Sequence, residues 1–406
     1  MIGRSVAFQG LPLVLVLVLV LALWSCSEDE EVDSGSEIVI TDVRDVWPSV
    51  VDLSLTNPET VFGSDLTSAV ELTSVRAAAL LSDRGAVLLD GRLRELVIYD
   101  AQGSVRRVLG REGEGPGEFL APSTLTRLAG DTVAVFDGRT RRLTMFSPDG
   151  EDPLVEALPP EVFDRAPISL WRLPDGSWLS FEGDIRTSEV VVQGSEADLV
   201  GVPALVRRIG PTRQASDTIL SGSVASESIR VGSMFLTAAF GRSTHVGVSG
   251  DVIAIALPAG FEVRVIVGDS LRHIARMPDA ELRLERAEVD RLRDSTKAAS
   301  AAAGQGFMAE PIYAPELQPA NRPSFGDIVV GRDGRVLLRE FAPPLRHADT
   351  WWVLDPDGRF EGRVRIPPDA SILEVGPEHL LALRRDAFDV PRVELHWIDW
   401  RRLYPE

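Results

Sequence analysis

The sequence predicts an all-β fold in which small four-stranded antiparallel sheets repeat around a ring, interrupted by one helical insertion. Three observations predict it. Two stretches match each other without a gap at an offset of 47 residues, both are built of short alternating strands, and a glycine-rich link joins them. The stretches are 87–103 and 134–150, in which Asp90 corresponds to Asp137, Leu96 to Leu143, Tyr99 to Phe146 and Gly103 to Gly150. One small sheet cannot bury both its faces alone. Repetition at this period therefore marks sheets stacked on their neighbours, as in the blades of a β-propeller.

The link reads Gly110-Arg111-Glu112-Gly113-Glu114-Gly115-Pro116-Gly117-Glu118-Phe119, with Pro122 following. With the Asp137 to Gly150 unit after it, this resembles the NHL-like six-bladed β-propellers, in particular the bacterial six-bladed β-propeller lipoproteins. The resemblance spans roughly residues 38–400, most closely over the first two repeats. It implies a six-bladed ring. The family carries no shared catalytic motif, so the resemblance implies no activity.

Composition sets the outer limits. The chain has 406 residues, of which 44% are hydrophobic and 25% charged, enough for a well-buried core. Its net charge of −19 argues against nucleic acid as a partner, because binding phosphates requires clustered cations. The single cysteine, Cys26, rules out an intrachain disulfide and places thiol catalysis out of reach.

Taken in order, residues 1–26 form a targeting segment. Arg4 supplies its positive start and 11–23 its apolar run, which is short for a membrane span. The run ends Leu23-Trp24-Ser25-Cys26, which resembles a bacterial lipobox whose cysteine receives lipid. Trp24 stands where that pattern has a smaller residue. A retained N-terminal anchor and a plain secretory signal are the alternatives. A lipid on Cys26 would hold the protein at a membrane without spanning it, and Ser27 after it points to the outer membrane. Residues 27–36 are acidic and almost free of apolar side chains, so they predict a flexible tether. Residues 37–406 then form the propeller.

Residues 38–43 alternate and are β-branched, predicting a strand that completes the last blade and removes the exposed sheet edge there. Residues 47–67 contain Pro and Asn and predict a loop. The first blade runs over 69–110 and the second over 119–158. The third begins near Ile168 and turns at Pro174-Asp175-Gly176; 189–193 and 204–209 give its outer strands, and the Ser-rich 210–232 a long connection. The fourth occupies 243–275. A helical insertion follows over 279–303, capped by Asp279, ended by Gly304, with Leu282, Val289 and Leu292 on one face. The fifth blade resumes at Phe325, and the sixth takes 372–375, 379–384 and 392–398.

Few residues suggest chemistry. The glycine-rich link lacks the Lys-Ser/Thr ending and the following helix of a phosphate loop, so it predicts a tight inter-blade turn. Asp90 and Asp137 predict acceptors for backbone N–H groups in their turns. Of five histidines, none pairs at metal-ligand spacing. His245, on the first strand of the fourth blade, is the one weak metal candidate, since that strand lines the channel. His396 predicts a surface residue. Trp351 and Trp352 are adjacent on a strand and so face opposite sides, making one of them a candidate binding residue. No Gly-x-Ser-x-Gly elbow is present. The expectation is an envelope-anchored, non-catalytic binding or scaffolding module with no catalytic residue and no cofactor. Its partner would be an envelope protein or a small ligand. The alternative is a lactonase- or amidating-lyase-like enzyme with one calcium or zinc ion in the channel.

Overall fold

The computed structural model describes residues 39–403, except 43–49, 54, 64–69, 148–151, 184–196, 213–215, 232–233, 259, 278–281, 303–309, 344–347 and 387. The targeting segment, Cys26, the tether, Asp279, Gly304, His347 and the strand expected at 189–193 lie outside the described residues. The fold is mostly β, of the propeller type, with the strands divided among six sheets.

The first sheet is Val75–Leu80, Ala86–Asp90, Glu95–Tyr99 and Val105–Leu109, and the second Pro122–Arg127, Val133–Asp137, Arg142–Phe146 and Leu154–Ala157. Each is a simple antiparallel meander. The repeat seen in the sequence reappears as hydrogen bonds. Asp90 accepts from the backbone N–H groups of Thr73, Ser74, Arg92 and Leu93. Asp137 accepts from those of Leu120, Ala121, Arg139 and Thr140, each 47 residues further on. Each carboxylate sits at the end of its sheet's second strand. It ties the turn that follows to the entry of the first strand. Arg94 and Arg141 occupy the same turn position, and both adopt left-handed backbone.

The glycine-rich link is structural. Gly110, Gly113 and Gly117 have φ of +84°, +150° and +74°, which side chains disfavour, and Glu118 accepts from Gly115 N at 2.7 Å to hold the loop. Phe119 then enters the apolar layer between the first and second sheets.

The third sheet is Pro167–Arg172, Trp178–Glu182, Ala197–Ile209, Ser216–Val231 and Met234–Thr237. The Ser-rich segment expected as a connection is thus largely a strand. Leu220, Ala225 and Ile229 give it the buried face that its serines conceal. The fourth sheet is His245–Ser249, Val252–Ala256, Phe261–Val267 and Ser270–Met277; the fifth is Phe325–Val330, Val336–Glu340, Thr350–Leu354 and Phe360–Arg365; the sixth is Ser371–Val375, His379–Arg385 and Pro391–Trp397.

The N-terminal strands correct one expectation. Val39–Asp42 does not join the last sheet but runs parallel to Ser270–Met277 at the outer edge of the fourth. Val50–Asp52 does the same on the fifth. Thr60–Phe62, from the segment expected to be a loop, supplies the fourth strand of the sixth sheet, antiparallel to Pro391–Trp397. The reason is apolar burial. Phe62 is fully buried, 5.7 Å from Tyr99 ring to ring, whereas Ile40 keeps 58% of its surface exposed and suits an outer edge.

Six apolar clusters lie between successive sheets. They join the first to the second, second to third, third to fourth, fourth to fifth, fifth to sixth, and sixth to first. A seventh surrounds the one α-helix of the described residues, α1 (Arg286–Ala302), whose Val289 and Leu292 pack on Ala239, Phe240 and Tyr313. The helix starts later than 279. Leu282 O and Leu284 N are bonded to Arg322 and Ala320, which holds 282–284 extended. Leu284 accompanies the helical face in place of Leu282.

Candidate functional site

The first strand of each sheet has only one strand neighbour within its sheet, so its other edge is free to face inward. First strands lie side by side between the first and second, second and third, fourth and fifth, fifth and sixth, and sixth and first sheets. A cavity of about 290 Å³ sits among the C-terminal ends of five of them, with walls from the first, second, fourth, fifth and sixth sheets.

Two charged groups organise this cavity. Glu374, on the first strand of the sixth sheet, accepts from Leu80 N of the first sheet at 2.8 Å. His379 Nε2 lies 3.3 Å from its other oxygen, and Arg332 Nη1 lies 3.5 Å from that same oxygen. Arg332 Nη1 also reaches Leu80 O at 3.5 Å. Arg332 comes from the turn after the first strand of the fifth sheet, so this ion pair joins the fifth and sixth sheets and its bonds to the Leu80 backbone add the first. Asp131, bonded to Arg127 of the wall but not itself lining the cavity, accepts from Ser82 N and Oγ and from Arg127 Nε at 2.7 Å. Burial opposes ionisation of Asp131, but the Ser82 and Arg127 hydrogen bonds outweigh it and hold its carboxyl below the ordinary value.

His245 begins the first strand of the fourth sheet, at the end away from this cavity. Its neighbours are Asp327 and Arg339 of the fifth sheet, with Arg339 Nη2 3.5 Å from Asp327 Oδ2. Burial pushes the imidazole of His245 down against the pull of Asp327, and pushes Asp327 up against Arg339 and His245. Among the described residues, no three His, Cys, Asp or Glu side chains are grouped as a metal ion requires.

The tryptophan expectation is corrected. Trp351 and Trp352 do face opposite sides, but both sides are interior, with 1% and 5% of their surface exposed. Trp352 lies in the cluster between the fourth and fifth sheets, edge-on to Phe261 at 4.9 Å, and its Nε1 donates to Glu340 at 2.9 Å. Trp351 lies in the cluster between the fifth and sixth. Sheets stacked on both faces leave no outer face for a central strand. Among the described residues, the exposed tryptophan is Trp397, at 56%, with the Arg84 guanidinium 5.0 Å from its ring. It is the last residue of its strand, beyond the reach of the stacking. His396, expected at the surface, is buried and lies 3.1 Å from Glu394. His273 is fully buried, and neither ring nitrogen has a hydrogen-bond partner among the described residues.

No family model matches this chain, and no curated protein does. Solved structures resemble it at low identity. A gluconolactonase from Xanthomonas campestris is 14% identical, covers 86% of this chain and 98% of its own, and has a TM-score of 0.42. A protein of Bacteroides fragilis assigned as exported is 10% identical, covering 86% and 100%, with a TM-score of 0.47. A DUF4221 member from Bacteroides vulgatus is 10% identical, covering 84% and 96%, with a TM-score of 0.44. Among the described residues, no helix is long and apolar enough to cross a membrane.

Arg332 and Glu374 were not singled out from the sequence. Arg332 reads as part of the turn Arg332-Asp333-Gly334. Glu374 carries a weak signal, a carboxylate inside a short apolar strand. Nothing local shows that the two meet Leu80, 252 and 294 residues away.

Proposed function

We propose that this chain is a binding module of the cell envelope. It is a six-bladed ring at 37–406, held at a membrane by a lipid on Cys26 and the acidic tether over 27–36, and it performs no chemistry of its own. The carrying observation is how the charged groups around the cavity are engaged. Glu374 and Asp131 each accept several hydrogen bonds that tie neighbouring first strands together. A carboxylate so occupied is a weak base, whereas a wall held rigid by such bonds suits recognition. Ring closure is supported by the apolar cluster between the sixth and first sheets. The link at 110–119 supports kinship with the NHL-like lipoproteins, and the Leu23 to Cys26 motif supports export and anchoring.

A second reading is favoured by one observation, the meeting of His245, Asp327 and Arg339 across two sheets. In that reading the protein is a metal-dependent enzyme that uses this end of the first strands, with one calcium or zinc ion. Metal content by mass spectrometry separates the two, measured on the full chain purified without chelator. Absence of stoichiometric metal is expected. One equivalent of calcium or zinc, lost in His245→Ala, would overturn the binding reading.

A further inference from the structure

We propose that the cavity takes a small monocarboxylate with an apolar body, its carboxylate seated on Arg332. This rests on the binding reading and gives it a ligand class. The volume of about 290 Å³ stands at the lower end of small-molecule sites. The wall is mixed, and its apolar side chains come from Leu125, Leu128, Val248, Val330 and Leu373. Within it, Arg332 has donors to spare. Only Nη1 is engaged, at 3.5 Å from both Glu374 and Leu80 O, and Nε and Nη2 make no hydrogen bond among the described residues. With 35% of its side chain exposed, the guanidinium can be reached from the cavity. A planar fork with two parallel free N–H groups fits a carboxylate in a way a point charge does not.

Two further features narrow the guest. Arg127, the other arginine of the wall, is closed onto Asp131 and offers little to a ligand. Glu374 stands beside Arg332 and repels a second negative charge. The site therefore suits a monoanion and disfavours a dianion such as phosphate.

Calorimetric titration of the full chain, in a non-ionic detergent, with hexanoate, hexanamide and inorganic phosphate tests this. Hexanoate is expected to bind one-to-one, and hexanamide and phosphate at least tenfold more weakly. Arg332→Gln is expected to weaken hexanoate tenfold or more. Should Arg332→Gln fail to fold, the hexanamide comparison on the native chain decides on its own. Equal binding of hexanoate and hexanamide, or no hexanoate binding, overturns the proposal. Equal binding leaves the binding-module reading standing, because an apolar site remains. A stoichiometric metal overturns that reading instead.

Discussion

Asp90→Asn isolates the bond set that makes the repeat a structural unit. Asp90 Oδ2 accepts from Thr73 N at 2.6 Å and Ser74 N at 2.9 Å, while Oδ1 accepts from Arg92 N and Leu93 N, both at 2.9 Å. Asparagine has one acceptor oxygen, so it can serve one pair of N–H groups while its amide donor faces the other. Two buried N–H groups then lose their acceptor, at about 1–3 kcal/mol each, giving about 4 kcal/mol in all. Equilibrium urea unfolding followed by tryptophan fluorescence reads this directly. Asp137→Asn disrupts the equivalent bonds and is expected to cost a similar amount. The pH dependence carries a sign. Burial opposes ionisation of Asp90, but the N–H groups of Leu93, Ser74 and Thr73 outweigh it, so its folded pKa lies below the unfolded value. Its contribution is therefore complete above about pH 4 and is lost as pH falls through the folded pKa. The gap between the native chain and Asp90→Asn should narrow in acid. A loss below about 1 kcal/mol at pH 7, or a gap that widens in acid, would refute the reasoning.

Other expectations follow from burial and backbone. Trp352→Ala should cost about 3–5 kcal/mol in urea unfolding, while the exposed Trp397→Ala should change stability by no more than about 0.5 kcal/mol. Gly110→Ala should cost roughly 1–2 kcal/mol for its left-handed backbone, and more for a Cβ that would come 2.8 Å from Phe119 Cε2. Burial holds the imidazole of His273 below its ordinary pKa, so its contribution is present above about pH 6.5 and declines as pH falls. Melting curves of the native chain and His273→Leu at pH 7.5 and 5.0 should therefore show a larger acid loss for the native chain.

The parts of this protein legible in the sequence are those governed by neighbours along the chain. The offset of 47 identified two sheets, and the roles of Asp90 and Asp137 followed because a carboxylate at a strand end has its acceptor demand met by the adjacent turn. The extents of the fourth and sixth sheets were legible too, because short apolar runs there are broken by local turns. What was not legible depends on distant partners. Alternation assigns Trp351 and Trp352 to opposite faces but cannot say that both faces are covered. The strand character of 38–43 was right and its partner wrong, because β-branched residues encode extension and not address. Arg332 and Glu374 look like turn and strand filler until folding brings them to Leu80.

The N-terminal strands also set the order of assembly. Val39 pairs with His273, Val50 with Arg363, and Phe62 with Val393. The first strands to emerge thus wait for the last sheets before they can be placed. Contacts of such sequence separation require closing very long loops, which slows folding in proportion to topology more than stability. The first and second sheets can pair locally while the rest of the chain is still being made. The layer formed by Phe62, Leu381, Val393 and Leu395 against the first sheet cannot exist until the final hundred residues are present. Truncation within Pro391–Trp397 should therefore also leave Thr60–Phe62, more than three hundred residues earlier, without its partner strand.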